Sequence, residues 1–292
     1  MQSIGIVTDS HGGISQKEVR RLRVKVLPMP FYFGEDCFYE DISITRKDFF
    51  ERLNSGERVS TSQPSPDAVM EIWRDSLKEF EKILYLPISS GLSGSCNTAQ
   101  VLAQEEEFAG KVIVVDNGRI STPMHRSILD ALELIEEGYS AENIKEILEA
   151  SRDKMAIYIA VETLELLKQG GRISGATAAI GTILNIKPIL KLNVGLLETY
   201  KKSRGMKKAR REMLEAMKQE LETTYREYYD RNEVHLLAAT SADEATTQEW
   251  LDEIHDFFPS MEVLCDDLSL GISCHTGEGA LGIGCSCKPK RF

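Results

Sequence analysis

Apolar positions in this chain follow two rhythms. Short runs such as "SIGIVTDS", "KILYLP" and "KVIVVDNG" are dense in Ile, Val and Leu, and they alternate with stretches of helical spacing such as "GSCNTAQVLAQEEEF" and "STPMHRSILDALELIEEG". Buried strands alternating with amphipathic helices predict βαβ units and a parallel sheet. The first run ends at Asp9-Ser10 before paired glycines, which predicts a turn and then a helix around "QKEVRRL". "VKVLPMPFYFG" reads as further strand. "ITRKDFFERLNSG" reads as a helix with Thr45 as N-cap and Gly56 as its stop.

Beyond "RDKMA", near residues 152–156, the pattern changes. "MAIYIAVE", "LKLNVGLLETY", "VHLLAATSA" and "MEVLCDDL" predict strands, interleaved with one long charged helix over "GMKKARREMLEAMKQELETTYREYYDR". The expected organisation is α/β with two domains, residues 1–153 and 154–292. The first carries a mainly parallel sheet and the second a mixed one.

Two loops stand out. In "ISSGLSGSCNTAQ", Ile88 to Gln100, four serines and two glycines separate a predicted strand from a predicted helix. Such a loop offers hydroxyls, backbone N–H groups and a helix start to an anion. Ser93 or Ser95 capping the helix explains part of it equally well. The second loop, "RVSTSQPSPDAV", sets Thr61, Ser62 and Ser65 between prolines, with Ser65 and Pro66 suited to open a helix.

Charge narrows the function classes. The chain has 292 residues, 35 basic and 46 acidic, and 35 minus 46 gives −11. That excess disfavours non-specific binding to nucleic acid or anionic membrane. The N-terminus lacks a secretory pattern and no apolar run reaches ~18 residues, so a cytoplasmic protein with at most transient membrane contact is expected. Cysteines at 37, 96, 265, 274, 285 and 287 are expected to be thiols, their spacing is not that of a zinc site, and the tail "CSCKPKRF" reads as surface. No metal or cofactor is expected.

"IGIVTDS", "TSQPSP", "SSGLSGS", "VVDN", "ETLELLKQGGRIS", "ILNIKPIL", "KSRGMKKA" and "HTGEGALGIG" stand in an order and spacing that resembles the DegV family over nearly the whole chain. The resemblance implies a bound long-chain fatty acid between two α/β domains. It also implies a role like that of the fatty-acid-binding subunit of bacterial fatty acid kinase, which presents the acyl carboxylate to a separate ATP-dependent kinase subunit and carries fatty acid or acyl phosphate toward phospholipid synthesis. Residue by residue, Thr61 and Ser93 match carboxylate-binding positions, with Ser62 and Gly94 beside them, and His275 matches a histidine near the head group. Arg172 and Arg204 match arginines expected at the pocket mouth, for phosphate or partner contact. Tunnel walls are expected from "TAAIGTILNIKPIL" and the apolar positions of "RSILDALELI", although each such residue also suits an ordinary core.

The chain departs from the family pattern in two places. Glu278 stands where proline is usual, and a carboxylate there repels an anionic ligand unless it points away or pairs with an arginine. "NGRISTPMHRS" replaces a smaller turn after Asp116, beginning at Asn117 and reaching His125, which reads as a helix-start residue. Two other functions remain open. One is an esterase or acyl-transferase with Ser93 as nucleophile, His275 as base and Asp9 or Asp116 behind it, although "GLSGS" is not a G-x-S-x-G elbow. The other is a binder of a different carboxylate or phosphate ligand. His11 reads as a locally bonded histidine at the end of the first strand.

Overall fold

The structure is a computed structural model that describes residues 3–173, 186–193 and 196–291. Its first part holds β1 (Ile4–Asp9), α1 (Gln16–Leu22), β2 (Lys25–Leu27), β3 (Phe31–Phe33), β4 (Asp36–Phe38), α2 (Arg46–Asn54), β5 (Val59–Thr61), α3 (Pro66–Leu77), β6 (Lys82–Leu86), α4 (Ser95–Leu102), β7 (Val112–Val114), α5 (Ser121–Glu136) and α6 (Ala141–Ala150). Strands β2-β1-β6-β7 make a four-stranded sheet whose ladders are all parallel. Its faces bury two clusters, one around Val7, Trp73, Tyr85 and Phe108, the other around Ile6, Leu84, Ile128 and Ile144.

The later part holds β8 (Met155–Ala160), α7 (Glu165–Gly170), β9 (Ile186–Asn193), β10 (Leu196–Arg204), α8 (Met206–Glu222), α9 (Arg226–Tyr229), β11 (Val234–Thr240), α10 (Glu244–Phe257), β12 (Val263–Asp267), α11 (Leu270–Thr276) and β13 (Leu281–Cys287). Six strands in the order β10-β9-β8-β13-β11-β12 form a mixed sheet, antiparallel except between β11 and β12. The chain is therefore α/β, with a parallel sheet before residue 115 and a mixed sheet after residue 154.

Local chemistry explains many element ends. Thr45 accepts from the Asp48 N–H at 3.2 Å to open α2, and Ser65 accepts from the Ala68 N–H at 3.2 Å to open α3, with Pro66 in the first turn. Four expectations hold only in part. "VKVLPMPFYFG" is not one strand: Pro28 and Pro30 separate β2 from β3, and β3 joins a small antiparallel sheet, β4-β3-β5, that packs its phenylalanines against α11. "LKLNVGLLETY" spans two antiparallel strands, β9 and β10. The long charged helix breaks after Glu222, where the Thr223 hydroxyl donates back to the Gln219 carbonyl at 2.6 Å.

The fourth matters most for the site. The tail "CSCKPKRF" is surface at Lys288, Lys290 and Arg291, but Cys285–Cys287 end β13, which is buried at every residue and seated between β8 and β11. Leu281, Ile283, Cys285 and Cys287 face the core under α8 and α10. Gly282, Gly284 and Ser286 face the other way, since side chains alternate along a strand. Trp250 Nε1 on the core side donates to the Gly282 carbonyl at 3.1 Å and fixes the strand's position.

Candidate functional site

A cavity lies between the loops of the parallel sheet and one face of the mixed sheet. Register decides its floor. Gly282 pairs with Ala239 and Ile159, and Gly284 pairs with Leu237 and Ile157, so these residues share one face. Leu192 and Leu197, paired across β9 and β10, also line the wall. Without side chains at Gly282 and Gly284 the sheet face sinks and leaves space above the strand.

The roof comes from loops at the carboxyl ends of the parallel strands, with Met29, Ile88, Leu92 and the turn Ile120–Pro123. Of the expected tunnel walls, residues 177–185 lie outside the described residues. Ile128, Ala131 and Leu134 of "RSILDALELI" do not reach the cavity; they pack in the core against the parallel sheet. The departure after Asn117 does reach it, because Ile120 to Pro123 form part of the wall.

One end of the cavity is polar. Thr61, Ser62, Gln63, Ser93, Arg172, His275 and His11 line it. The Ile88–Ser95 loop divides its serines by task. Ser89 Oγ accepts from the Gly91 N–H at 3.2 Å, and Ser90 is tied to Asp116, which also pairs with Arg152 at 3.1 Å. Ser93 faces the cavity, and its Oγ accepts from the Ser95 N–H at 3.2 Å at the start of α4. That bond uses a lone pair and leaves the Ser93 hydroxyl proton for a ligand. Gly94, the N-cap of α4, does not line the cavity; a Cβ on it would stand 3.4 Å from Gln63 Oε1, so it lets Gln63 pack behind the loop.

Thr61 Oγ1 and His275 Nε2 are 3.0 Å apart. Burial, helped by nearby Arg172, drives the His275 pKa down to about 4, so its imidazole is neutral at pH 7. A neutral ring that donates from Nε2 leaves the Thr61 hydroxyl free to donate onward. The ring fits because residue 170 is glycine: a Cβ there would lie 2.0 Å from His275 Nδ1. Gly271 does the same for His11, whose Nδ1 stands 3.1 Å from Asp9 Oδ1. His11 is locally bonded, as its position suggests, and it also lines the cavity. Gly170, Gly271, Gly282 and Gly284 carried no sequence signal for this site beyond their identity.

A wider outer groove meets this polar end, and Thr61, Arg172, His275 and Thr276 line both spaces. Arg172 Nη1 donates to the Gly170 carbonyl beside His275. Arg204 is elsewhere. It is exposed at the far end of β10, seven residues beyond Leu197, or ~23 Å along a strand. The two arginines therefore do not form one cluster. Glu278 faces the outer groove and accepts from Asn54 Nδ2 at 2.6 Å, so its charge points away from the inner cavity.

The acyl-transfer geometry is not assembled. Among the described residues no acid meets His275 Nδ1, which has no partner, and Asp9 holds His11 and the Ile88 N–H instead. The C-terminal cysteines also remain apart from any third donor among the described residues, and burial pushes the Cys265 and Cys287 thiols up to about 12.

Fold and cavity together define an α/β protein whose two larger sheets enclose an apolar chamber with a hydrogen-bonding end that includes Arg172. Residues 3–288 match the family model described as "Uncharacterised protein, DegV family". The chain belongs to the DegV family. It is similar to a DegV domain-containing protein of Deinococcus radiodurans, 31% identical over 96% of this chain and 97% of that one. A fatty acid binding DegV family protein from Thermus thermophilus superposes with a TM-score of 0.87 at 35% identity, covering 98% of this chain and 99% of that one. DegV of Bacillus subtilis, a fatty acid binding protein, does so with a TM-score of 0.83 at 26% identity, covering 99% and 100%.

Proposed function

We propose that this protein binds a long-chain fatty acid, tail over Gly282 and Gly284 and carboxylate at Thr61 and Ser93, and presents that carboxylate to an ATP-dependent kinase subunit. The product, an acyl phosphate, is then carried toward phospholipid synthesis, and the transfer chemistry belongs to the partner. The observation that carries the reading is the junction at Thr61, where the apolar cavity opens onto the outer groove. A carboxylate there is held from inside and reachable from outside.

The energetics fit an acyl anion. Each methylene transferred from water to the cavity contributes ~0.8 kcal/mol, so a chain of sixteen carbons gains far more from its tail than from its head. Hydrogen bonds to the charged oxygens add about 1.5–3 kcal/mol each and keep the carboxylate ionised. Arg172, on both the cavity and the groove, is placed to favour a more highly charged acyl phosphate over the fatty acid. The fatty acid binding relatives from Thermus thermophilus and Bacillus subtilis support the ligand class.

The test is native mass spectrometry of the purified chain, followed by organic extraction. A stoichiometric C14–C18 fatty acid, with acyl phosphate formed only when ATP and a fatty acid kinase subunit are added, is the expected result. A protein that takes up no fatty acid after delipidation ends the proposal. Fatty acid binding without phosphorylation keeps the carrier and removes the kinase.

A further inference from the structure

Among the described residues, one group of His, Cys, Asp and Glu donors is close enough to share an ion: Glu18 on α1, His125 on α5 and Asp266 on β12, with donor atoms within 4.8 Å of one another. It is separate from the lipid cavity's polar end, and none of its three side chains lines that cavity.

His125 is completely buried, and its two ring nitrogens are treated differently. Nδ1 stands 3.1 and 3.0 Å from the two oxygens of Asp266. Nε2 is buried with no hydrogen-bond partner, and Glu18 Oε1 stands 3.9 Å from it. An imidazole held at one nitrogen by a carboxylate and aimed with the other at a second carboxylate is the arrangement that orients a metal-ligating histidine.

Glu18 is ready for the second place. It sits three residues after the N-cap Ser15, whose hydroxyl donates to Oε2 at 3.1 Å. Oε1 is left facing His125, with the exposed Arg21 guanidinium 3.5 Å away as its other neighbour. Arg21 is long and two-thirds exposed, so it can swing into solvent when an ion takes its place.

We propose that Glu18, His125 and Asp266 form a site for a divalent transition metal of the Zn²⁺ class. His125 Nε2 and Glu18 Oε1 are the direct ligands, water completes the shell, and Asp266 holds the ring. Zn–N and Zn–O bonds of about 2.0–2.2 Å span donors 3.9 Å apart once the gap closes by roughly 0.5 Å to the tetrahedral spacing. The imidazole nitrogen favours this class over Mg²⁺ or Ca²⁺, which prefer all-oxygen shells. Because α1 and α5 flank the parallel sheet while β12 edges the mixed one, an ion here would clamp together the two sheets that bracket the cavity.

The experiment is titration of the full chain, stripped with chelator, with ZnCl₂ by calorimetry, alongside thermal melts of the same samples. The expected result is one Zn²⁺ per chain with a rise in Tm. Asp266→Asn should weaken binding by about 10- to 100-fold. Glu18→Gln, at a partly exposed position that leaves the fold intact by circular dichroism, should weaken it at least as much and abolish the Tm rise. No binding to the wild type, or binding that persists unchanged in folded Glu18→Gln, as thiol capture would give, overturns the proposal.

Discussion

The cavity's two ends are built on opposite principles. At the polar end, the proposed function rests on groups that are present: the hydroxyls of Thr61 and Ser93 and the imidazole of His275. At the apolar end it rests on groups that are missing, since Gly282 and Gly284 leave space on a sheet face otherwise covered by Ile157, Ile159, Leu192 and Leu237. A ligand with an anionic head and a greasy tail needs both. In the proposed complex the polar end would fix position through a few directional bonds, whereas the apolar end would supply most of the binding energy through area.

The largest expected effect comes from filling the floor. Gly282→Val puts a β-branched side chain on the cavity face, where its Cβ stands 3.3 Å from the Ala239 backbone carbonyl, a tight contact. Displacing three or four methylenes of the tail costs ~2.4–3.2 kcal/mol, or roughly 60- to 200-fold in Kd for a long-chain fatty acid. Fluorescent fatty acid displacement checks this. An unchanged Kd in a folded variant would move the tail off β13.

The next effects fall at the polar end. Thr61→Ala and Ser93→Ala should each weaken binding by about 1–3 kcal/mol, and shorter acids should lose the same increment as longer ones because the head is common to all. The floor variant should behave differently, penalising long chains more than short ones. Gly170→Ala should mimic His275→Ala, since its Cβ would lie 2.0 Å from His275 Nδ1 and the ring must leave. Titrating each variant with C8 and C16 acids separates the two patterns; parallel losses across all variants would erase the distinction between the ends.

The same contrast decides what was legible in the sequence. Strands such as "IGIVTD" and "KILYLP", the Thr45 and Ser65 caps and the hydroxyl-rich loops announce themselves, because local chemistry sets them. β13 does not, because glycine at alternate positions weakens a strand signal, and its meaning appears only when Trp250 lies on one face and the cavity on the other. Gly170 meets His275 across more than a hundred residues of chain. Arg204 lies in a readable motif, but strand length carries it away from Arg172. His125 looked like a helix start and is held by Asp266 from the far end of the chain.

The smallest effect is a pH signature at the helix that carries His275. Helix α11, which carries His275, begins at Leu270, whose N–H donates to Glu40 Oε2 at 3.0 Å. Burial raises the Glu40 pKa from its ordinary 4.5 to about 7, and burial lowers that of His275 from 6.5 to about 4. Between pH 4 and 6.5 the unfolded chain binds more protons at His275 than the folded one, so this group's stability contribution is lost as pH falls through that window. Glu40 has the opposite sign: between pH 4.5 and 7 the folded state binds the extra proton, so its contribution is lost as pH rises. The two nearly cancel between pH 4.5 and 6.5. Glu40→Gln keeps an acceptor for Leu270 and removes one of the opposing slopes. Chemical denaturation across pH should then show a gain of about 1–2 kcal/mol at pH 8, little change at pH 4.5, and a steeper loss toward acid. Gly282→Val should leave the slope of that curve as it is in the wild type, because nothing on the apolar floor titrates there.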